Sequence, residues 1–221
     1  MQPLASGRDA EVYDAGAALV LRRYRGPRDT VREGAVMHHA RAHGVPVPLV
    51  HEVTTTDMVM ERVDGPTLLD WALRRPVPRL RRAAHLLADL HARVAAVPAP
   101  AWLPAPLGDG DSLIHLDLHP LNVLMSARGP VIIDWTNAAR GPAAADVAMT
   151  WVIMATSEIP GGTVLRTAAQ LVRRLFVRRF LDRAGRAEAV ALLPAVAAAR
   201  LADRNVTDRE RVAVRRLAES H

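Results

Sequence analysis

Residues 114–125 read Ile114-His115-Leu116-Asp117-Leu118-His119-Pro120-Leu121-Asn122-Val123-Leu124-Met125, and Val131-Ile132-Ile133-Asp134-Trp135 follows a few positions on. Two apolar runs of strand character flank a polar loop, so Asp117 and Asn122 fall on the loop and Asp134 at a strand end. Asn122 and Asp134 offer hard oxygen donors of the kind Mg²⁺ takes together with substrate phosphates. Asp117 is left free to orient an incoming hydroxyl and to accept its proton. One carboxylate for the acceptor and an amide–carboxylate pair for a metal is the division of labour of phosphoryl transfer.

Working outward, residues 79–97 form an amphipathic helix in which Leu80, Ala83, Leu87, Leu90 and Val94 recur at three- and four-residue spacing. Residues 98–111 are a Pro-, Ala- and Gly-rich connector without a period, and from about residue 144 helix follows helix, with a break at Ile159-Pro160-Gly161-Gly162. Toward the N-terminus, residues 11–13 and 17–24 read as strands around an Asp14-Ala15-Gly16 turn. A helix over 30–43 stops at Gly44 and the Pro46/Pro48 pair. Strand character resumes over 47–53 and 58–63, with a turn at 54–57, until Asp64-Gly65-Pro66 breaks the chain. There is no internal repeat. The pattern predicts a β-rich unit over 1–63 and a larger, mostly helical unit over 64–221, joined by a hinge at about 60–66, with a ligand cleft between them.

Composition narrows the class further. The 221 residues are 50% hydrophobic, which excludes intrinsic disorder and allows a sizeable core. Cysteine is absent, which removes disulfides, thiol nucleophiles and thiolate metal sites together. The longest apolar run, 147–155, is far short of the roughly 18 residues a membrane span needs. No basic segment followed by an apolar one opens the sequence, so a cytoplasmic enzyme-sized domain is the expectation, with no membrane partner. The net charge is +6, and since no lysine occurs, all 29 basic residues counted with it are arginine. They are scattered singly or in pairs among apolar residues, whereas a nucleic-acid footprint concentrates them in a stripe, so no nucleic-acid partner is expected.

The segment HLDLHPLNVLM followed by IIDW resembles the catalytic and metal-binding loops of aminoglycoside phosphotransferases and choline-kinase-like enzymes. The H-x-D-x-x-x-x-N pattern falls on His115, Asp117 and Asn122, and the second metal-binding Asp on Asp134. Gly141-Pro142-Ala143-Ala144-Ala145-Asp146-Val147-Ala148 resembles the signature whose Asp braces the catalytic loop, and Leu87-Ala88-Asp89-Leu90-His91-Ala92 the helix before it. The resemblance covers residues 4–155. It implies an α+β, bilobal protein-kinase-like fold and an ATP- and Mg²⁺-dependent phosphotransferase acting on a small-molecule hydroxyl. GTP stays open as an alternative to ATP. In that reading Asp117 is the catalytic base, Asn122 and Asp134 hold the metal, and His115 ties the loop. His119 donates to the γ-phosphate or holds the loop.

For the nucleotide, Leu4-Ala5-Ser6-Gly7-Arg8-Asp9-Ala10-Glu11-Val12-Tyr13 resembles the hairpin that covers phosphates, with Gly7 its one glycine. The strand Leu19-Val20-Leu21-Arg22-Arg23-Tyr24 resembles the one that carries the phosphate-binding lysine. Strand alternation puts Val20 and Arg22 on one face, for adenine and phosphate, so Arg22 takes the lysine's place. Glu33 is either the helix carboxylate that pairs with this cation or the third residue of a Thr30-x-x-Glu33 capping box. Met60-Glu61-Arg62-Val63 resembles the hinge, where backbone groups of Glu61 and Val63 meet the adenine edge. The missing lysine and reduced glycine loop leave a second reading, a weak or inactive nucleotide-binding module acting through protein contacts. From Pro160 onward there are 13 Arg against six Asp and Glu, which argues for a neutral or anionic acceptor; the alternative is that these arginines face water. Nothing in the sequence sets the oligomeric state.

Overall fold

The computed structural model describes residues 3–7, 10–26, 29–158 and 162–220. Two stretches singled out in the sequence, Arg8-Asp9 in the glycine hairpin and Ile159-Pro160-Gly161 at the helical break, lie outside the described residues. Near the N-terminus, β1 (Pro3–Ser6), β2 (Ala10–Gly16), β3 (Leu19–Tyr24), β4 (Val50–Val53) and β5 (Asp57–Glu61) make one antiparallel sheet in the order β1-β2-β3-β5-β4. The turn between β2 and β3 is Ala17-Ala18, both at positive φ (48° and 60°), and not Asp14-Ala15-Gly16, whose residues continue the strand. Positive φ at both central residues matches the right-handed twist of a two-residue hairpin. The register sets Arg22 opposite Val12 and Met58, and Val20 opposite Met60.

Helix α1 (Thr30–Ala42) lies against the sheet so closely that a Cβ on Gly34 would stand 2.8 Å from a Val53 methyl. Its N-cap is Asp29, whose side chain accepts from the Arg32 N–H at 3.0 Å. Thr30 is buried inside the first turn with its hydroxyl donating to the Thr54 carbonyl, so the expected Thr30–Glu33 capping box does not form. Glu33 is released to work elsewhere.

Beyond β5 the chain runs over 62–67 into α2 (Leu68–Leu73), which Thr67 caps by accepting from the Asp70 N–H at 3.1 Å. Then come α3 (Pro76–Ala95) and the connector, tied at both ends by Ala99 N–H to Asp111 O (2.8 Å) and Leu113 N–H to Val97 O (2.9 Å). Strand β6 (Ser112–Ile114) pairs with β9 (Ala139–Gly141), and β7 (Val123–Ser126) with β8 (Gly129–Ile132). The helices α4 (Ala143–Thr156), α5 (Thr163–Ala184), α6 (Arg186–Ala202) and α7 (Asp208–Glu219) complete the helical part. Ala83, Leu87, Leu90 and Val94 are buried on α3 as their spacing predicts; α3 packs most extensively on α5 and also meets α4, which is apolar nearly all round and buried to match. Among the described residues no helix is long and apolar enough to cross a membrane.

The 62–67 segment is pinned by Met125 N–H, which donates to Pro66 O at 2.8 Å. Gly65, at φ 155°, passes so close that a Cβ there would stand 2.2 Å from the Met125 carbonyl oxygen. Because the obstacle is backbone, Gly65→Ala must push the linker off β7. It should lower stability by about 2–3 kcal/mol, at the upper end for single substitutions, as read from urea unfolding.

Candidate active site

The loop after β6 is built on a buried carboxylate. Asp146, in the first turn of α4 and 2% exposed, accepts from the N–H groups of His115 (3.0 Å) and Leu116 (2.7 Å). Leu116 holds φ 61°, a left-handed conformation that costs a β-carbon-bearing residue of the order of 1–3 kcal/mol and persists only where its surroundings fix it. Those two hydrogen bonds fix it. His115 is wholly buried: Nδ1 accepts from the Asp117 N–H at 3.3 Å, and Nε2 donates to the Ile133 carbonyl at 3.2 Å. The ring is therefore the neutral Nε2–H tautomer, wedged on Trp135 with centroids 4.7 Å apart. It ties the loop to the strand end that carries Asp134, which is the loop-tying role expected from the resemblance.

Asp117 emerges on the far side of this brace. Its Oδ2 accepts from the Asn122 side-chain amide at 3.0 Å, which also donates to the Asp117 backbone carbonyl at 2.9 Å. Its Oδ1 lies 3.4 Å from His119 Nε2, while His119 Nδ1 accepts from the Leu121 N–H at 3.3 Å. Asn122 and His119 thus meet Asp117 from behind and orient its carboxylate.

Arg22 is the centre of the opposite wall. Its Nη1 donates to Glu33 Oε1 at 3.0 Å and its Nη2 to Asp134 Oδ1 at 2.8 Å, while its guanidinium lies 4.8 Å over the Tyr24 ring. Tyr24 donates its hydroxyl to Glu33 Oε2. The Thr136 hydroxyl stands 3.1 Å from Glu33 Oε2 and 3.0 Å from Asp134 Oδ1, donating to one of them at a time. Burial pushes the Asp134 carboxyl up, but the Arg22 charge and its hydrogen bond, with that of Thr136, win and hold it below the usual carboxylate range. Burial and then the Glu33 charge push the Tyr24 phenol up, so it stays a donor. Asp134 itself sits at φ 64°, a second strained residue at the site.

A cleft of about 1100 Å³ runs between these walls. Of the residues singled out in the sequence, Gly7, Val20, Arg22, Met60, Glu61, Val63, Asp117 and Asp134 line it. Glu33, His119 and Asn122 do not line it; they stand one layer back, on Arg22 and on Asp117. Among the described residues the Val63 N–H has no hydrogen-bond partner, whereas the Glu61 N–H is taken by Leu49 O at 2.7 Å. A backbone donor is thus open at Val63, and the Glu61 N–H is not free.

Among the described residues no three His, Cys, Asp or Glu side chains gather as a metal cluster. The donor set nevertheless fits a hard divalent ion such as Mg²⁺. Both hydrogens of Asn122 point at Asp117, which leaves its Oδ1 without a described partner, and Asp134 Oδ2 is equally uncommitted. Two free oxygens, one amide and one carboxylate, suit an ion that keeps several waters and takes the remainder of its shell from phosphates.

Tyr24 and Thr136 were not picked out from the sequence. Tyr24 had a signal, since it shares the β3 face of Val20 and Arg22. Thr136 had none, being a lone hydroxyl two residues beyond Asp134. At its other end the cleft reaches Arg200, Asp203, Arg204 and Asn205, where α6 runs out.

A family model described as the phosphotransferase enzyme family (APH) matches residues 1–112 and 71–198, and the chain belongs to that family. No curated protein matches the sequence. The chain is similar in fold to the aminoglycoside phosphotransferase APH(2'')-IIa in a streptomycin–ATP ternary complex, at 12% identity and a TM-score of 0.58, over 88% of this chain and 81% of that one. It is similar to ADP-bound APH(2'')-Ib at 11% identity and a TM-score of 0.56, over 100% and 92% of the two chains. A choline/ethanolamine kinase family protein from Mesorhizobium loti matches at 18% identity and a TM-score of 0.53, over 99% and 85%. The fold is α+β and kinase-like, with a small antiparallel sheet before a mostly helical part.

Asp146→Ala leaves two buried N–H groups unpaired, so it should cost about 1–3 kcal/mol for each in urea unfolding, with Asp146→Asn recovering part. The Asp134 carboxyl binds its proton more weakly folded than unfolded, so its contribution is complete above about pH 4 and is lost as pH falls through the lower folded value. Asp134→Asn should therefore flatten the acid limb of the stability–pH curve below about pH 4.

Proposed function

We propose that the protein is an ATP- and Mg²⁺-dependent kinase that phosphorylates a hydroxyl of a small, neutral or anionic molecule. The observation that carries this reading is the shared cleft: the Asp117 and Asp134 carboxylates, Arg22, Gly7 and the Met60–Val63 segment all line one space. Its volume, about 1100 Å³, is at the upper limit of single-ligand pockets (~300–1,000 Å³), which suits two substrates better than one. The phosphotransferase family match, and the ATP and ADP bound by the similar structures, support the same reading.

In this reading residues 1–63 cover the nucleotide, 64–221 carry the acid set and the acceptor site, and 60–66 are the hinge. Glu61 O and Val63 N–H meet the adenine edge, Val20 and Met60 pack on its faces, and the Gly7 hairpin lies over the phosphates. Arg22 has five N–H donors and uses two on Glu33 and Asp134, so three remain for phosphate oxygens. Asn122 Oδ1 and Asp134 would hold Mg²⁺, which supplies charge neutralisation of the β- and γ-phosphates when bound. Asp117, oriented by Asn122 and His119, positions the acceptor hydroxyl. As the acceptor oxygen bonds to the γ-phosphorus, the β–γ bridging bond breaks, ADP leaves with that electron pair, and the hydroxyl proton passes to Asp117. Positioning and a preorganised field do most of the work. In this reading the enzyme works in the cytoplasm, where ATP is supplied.

Asp117→Ala should lower ADP release in the presence of a working acceptor by about 10²–10⁴-fold, the usual contribution of a general base. The thermal shift given by Mg·ATP should persist in that variant. Full turnover in the variant would overturn the assignment of Asp117. Nucleotide stabilisation indifferent to Mg²⁺, with no ADP release from the wild type, would identify a binding module instead.

A further inference from the structure

The acceptor end of the cleft carries its charge in an unbalanced way. Five carboxylates line the cleft, and four are already held by arginine. Asp134 is paired with Arg22 at 2.8 Å, Asp64 with Arg62 at 2.9 Å, and Glu61 with Arg128. Asp203 is spent on both oxygens: Oδ2 lies 3.2 Å from Arg200 Nη1, and Oδ1 accepts from the Asn205 N–H at 2.8 Å. Among the described residues only Asp117 lines the cleft without an arginine partner, and the proposed reaction uses it. The backbone carbonyls at the end of α6, another place for an ammonium group, are also occupied. Arg211 Nη1 donates to Leu201 O, and its Nη2 donates to Asp203 O at 3.1 Å.

Two of the four arginines that line the cleft are in the opposite condition. Arg200 lines the cleft with a side chain only 20% exposed, yet its described bond is the single one to Asp203. Its Nε is buried without a hydrogen-bond partner among the described residues. A buried donor left unpaired is costly, and a largely desolvated guanidinium with idle donors beside a cleft is poised for an oxygen anion. Arg204, four residues on and just past the helix end, also lines the cleft, is exposed, and has no ion-pair partner among the described residues.

Building on the kinase reading above, we propose that Arg200 and Arg204 form an anion-reading end of the acceptor site, and that the hydroxyl compound phosphorylated there carries a carboxylate or a phosphate group. An ammonium-bearing acceptor would meet two guanidinium groups with no free carboxylate to offset them, and such like-charge placement excludes wrong partners. This narrows the neutral-or-anionic expectation to the anionic side and names the residues that impose it.

The test uses one carbon skeleton with three end charges: D-gluconate, D-glucitol and 1-amino-1-deoxy-D-glucitol. Each is titrated by calorimetry into the full-length protein saturated with Mg·ADP, so that the phosphate-binding wall is occupied. Gluconate should bind about tenfold or more tightly than the amine, with glucitol between them. Arg204→Gln, on an exposed turn where folding is not at stake, should weaken gluconate by about tenfold, and Arg200→Gln should remove the preference for the anion altogether. Equal or tighter binding of the amine would overturn the proposal. So would a gluconate preference that survives both substitutions, or no gluconate binding by the ADP-loaded protein. Failure of Mg·ADP itself to bind would instead sink the kinase reading, and the two failures are read from separate titrations.

Discussion

One guanidinium joins the parts of this protein. Arg22 comes from β3, Glu33 from α1 and Asp134 from the segment after β8, and both acids close on the two ends of a single planar fork. Glu33 is 2% exposed in its side chain and Arg22 14%, so neither charge is stable there alone. Burying an ion pair costs several kcal/mol per ion in desolvation, and breaking one by removing a partner costs about 3–5 kcal/mol. Tyr24 and Thr136 complete the hydrogen bonding of Glu33, which is the condition under which a buried charge is tolerated. Arginine also changes the character of the position. A lysine presents one compact ammonium, whereas the fork holds two carboxylates in fixed directions and still has donors to spare. The sheet, its helix and the Asp134 strand end are therefore aligned by one residue.

A second constraint acts below the first. The Asp117 carboxylate, which reaches the cleft, is aimed by groups that do not line it. Asp146 fixes the bent backbone at His115 and Leu116, His115 holds the Asp117 backbone N–H, and Asn122 and His119 hold the Asp117 carboxylate. The chain of contacts continues into the helical core: the Thr150 hydroxyl of α4 donates to Leu118 O, and His91 of α3 lies 2.9 Å from that hydroxyl. Burial lowers the His91 pKa, so the ring stays neutral and α3 and α4 meet across it without a buried charge. Positive φ at Leu116 and Asp134 is stored strain, and these inner hydrogen bonds are what keep it in place.

That layering explains what the sequence disclosed. The Asp117–Asn122–Asp134 set was legible because its polar residues stand at fixed intervals between apolar strands, and the α3 core face because Ala83, Leu87, Leu90 and Val94 keep helical spacing. The β2–β3 turn was misplaced because Asp14-Ala15-Gly16 looks like a turn, while the residues that bend, Ala17 and Ala18, carry no turn chemistry. The short α2 and β9 were invisible, since six and three residues cannot establish a period. Thr30-x-x-Glu33 looked equally like a cap and an ion-pair partner; only the tertiary position of Arg22, eleven residues away, decides for the pair. Thr136 left no mark at all, because a hydroxyl acts by distance and not by pattern.

The two ends of the cleft follow from one compositional fact. A chain that uses arginine for every basic position meets each carboxylate with a group that can take two partners at once. At β3 this draws Glu33 and Asp134 onto the same cation. At the α6 end the same chemistry leaves an excess, because Asp203 can satisfy only one of the donors of Arg200 and none of Arg204. Charge in the cleft is thus uneven: four of its carboxylates are paired with arginine, Asp117 is held by Asn122 and His119, and Arg200 and Arg204 keep guanidinium donors without a partner among the described residues. Under the proposal above, an anionic group would be drawn toward Arg200 and Arg204 and repelled by Asp117, the one cleft carboxylate without an arginine partner among the described residues. A hydroxylated anion held in that way would turn its uncharged hydroxyl face to Asp117, the arrangement that the proposed transfer needs.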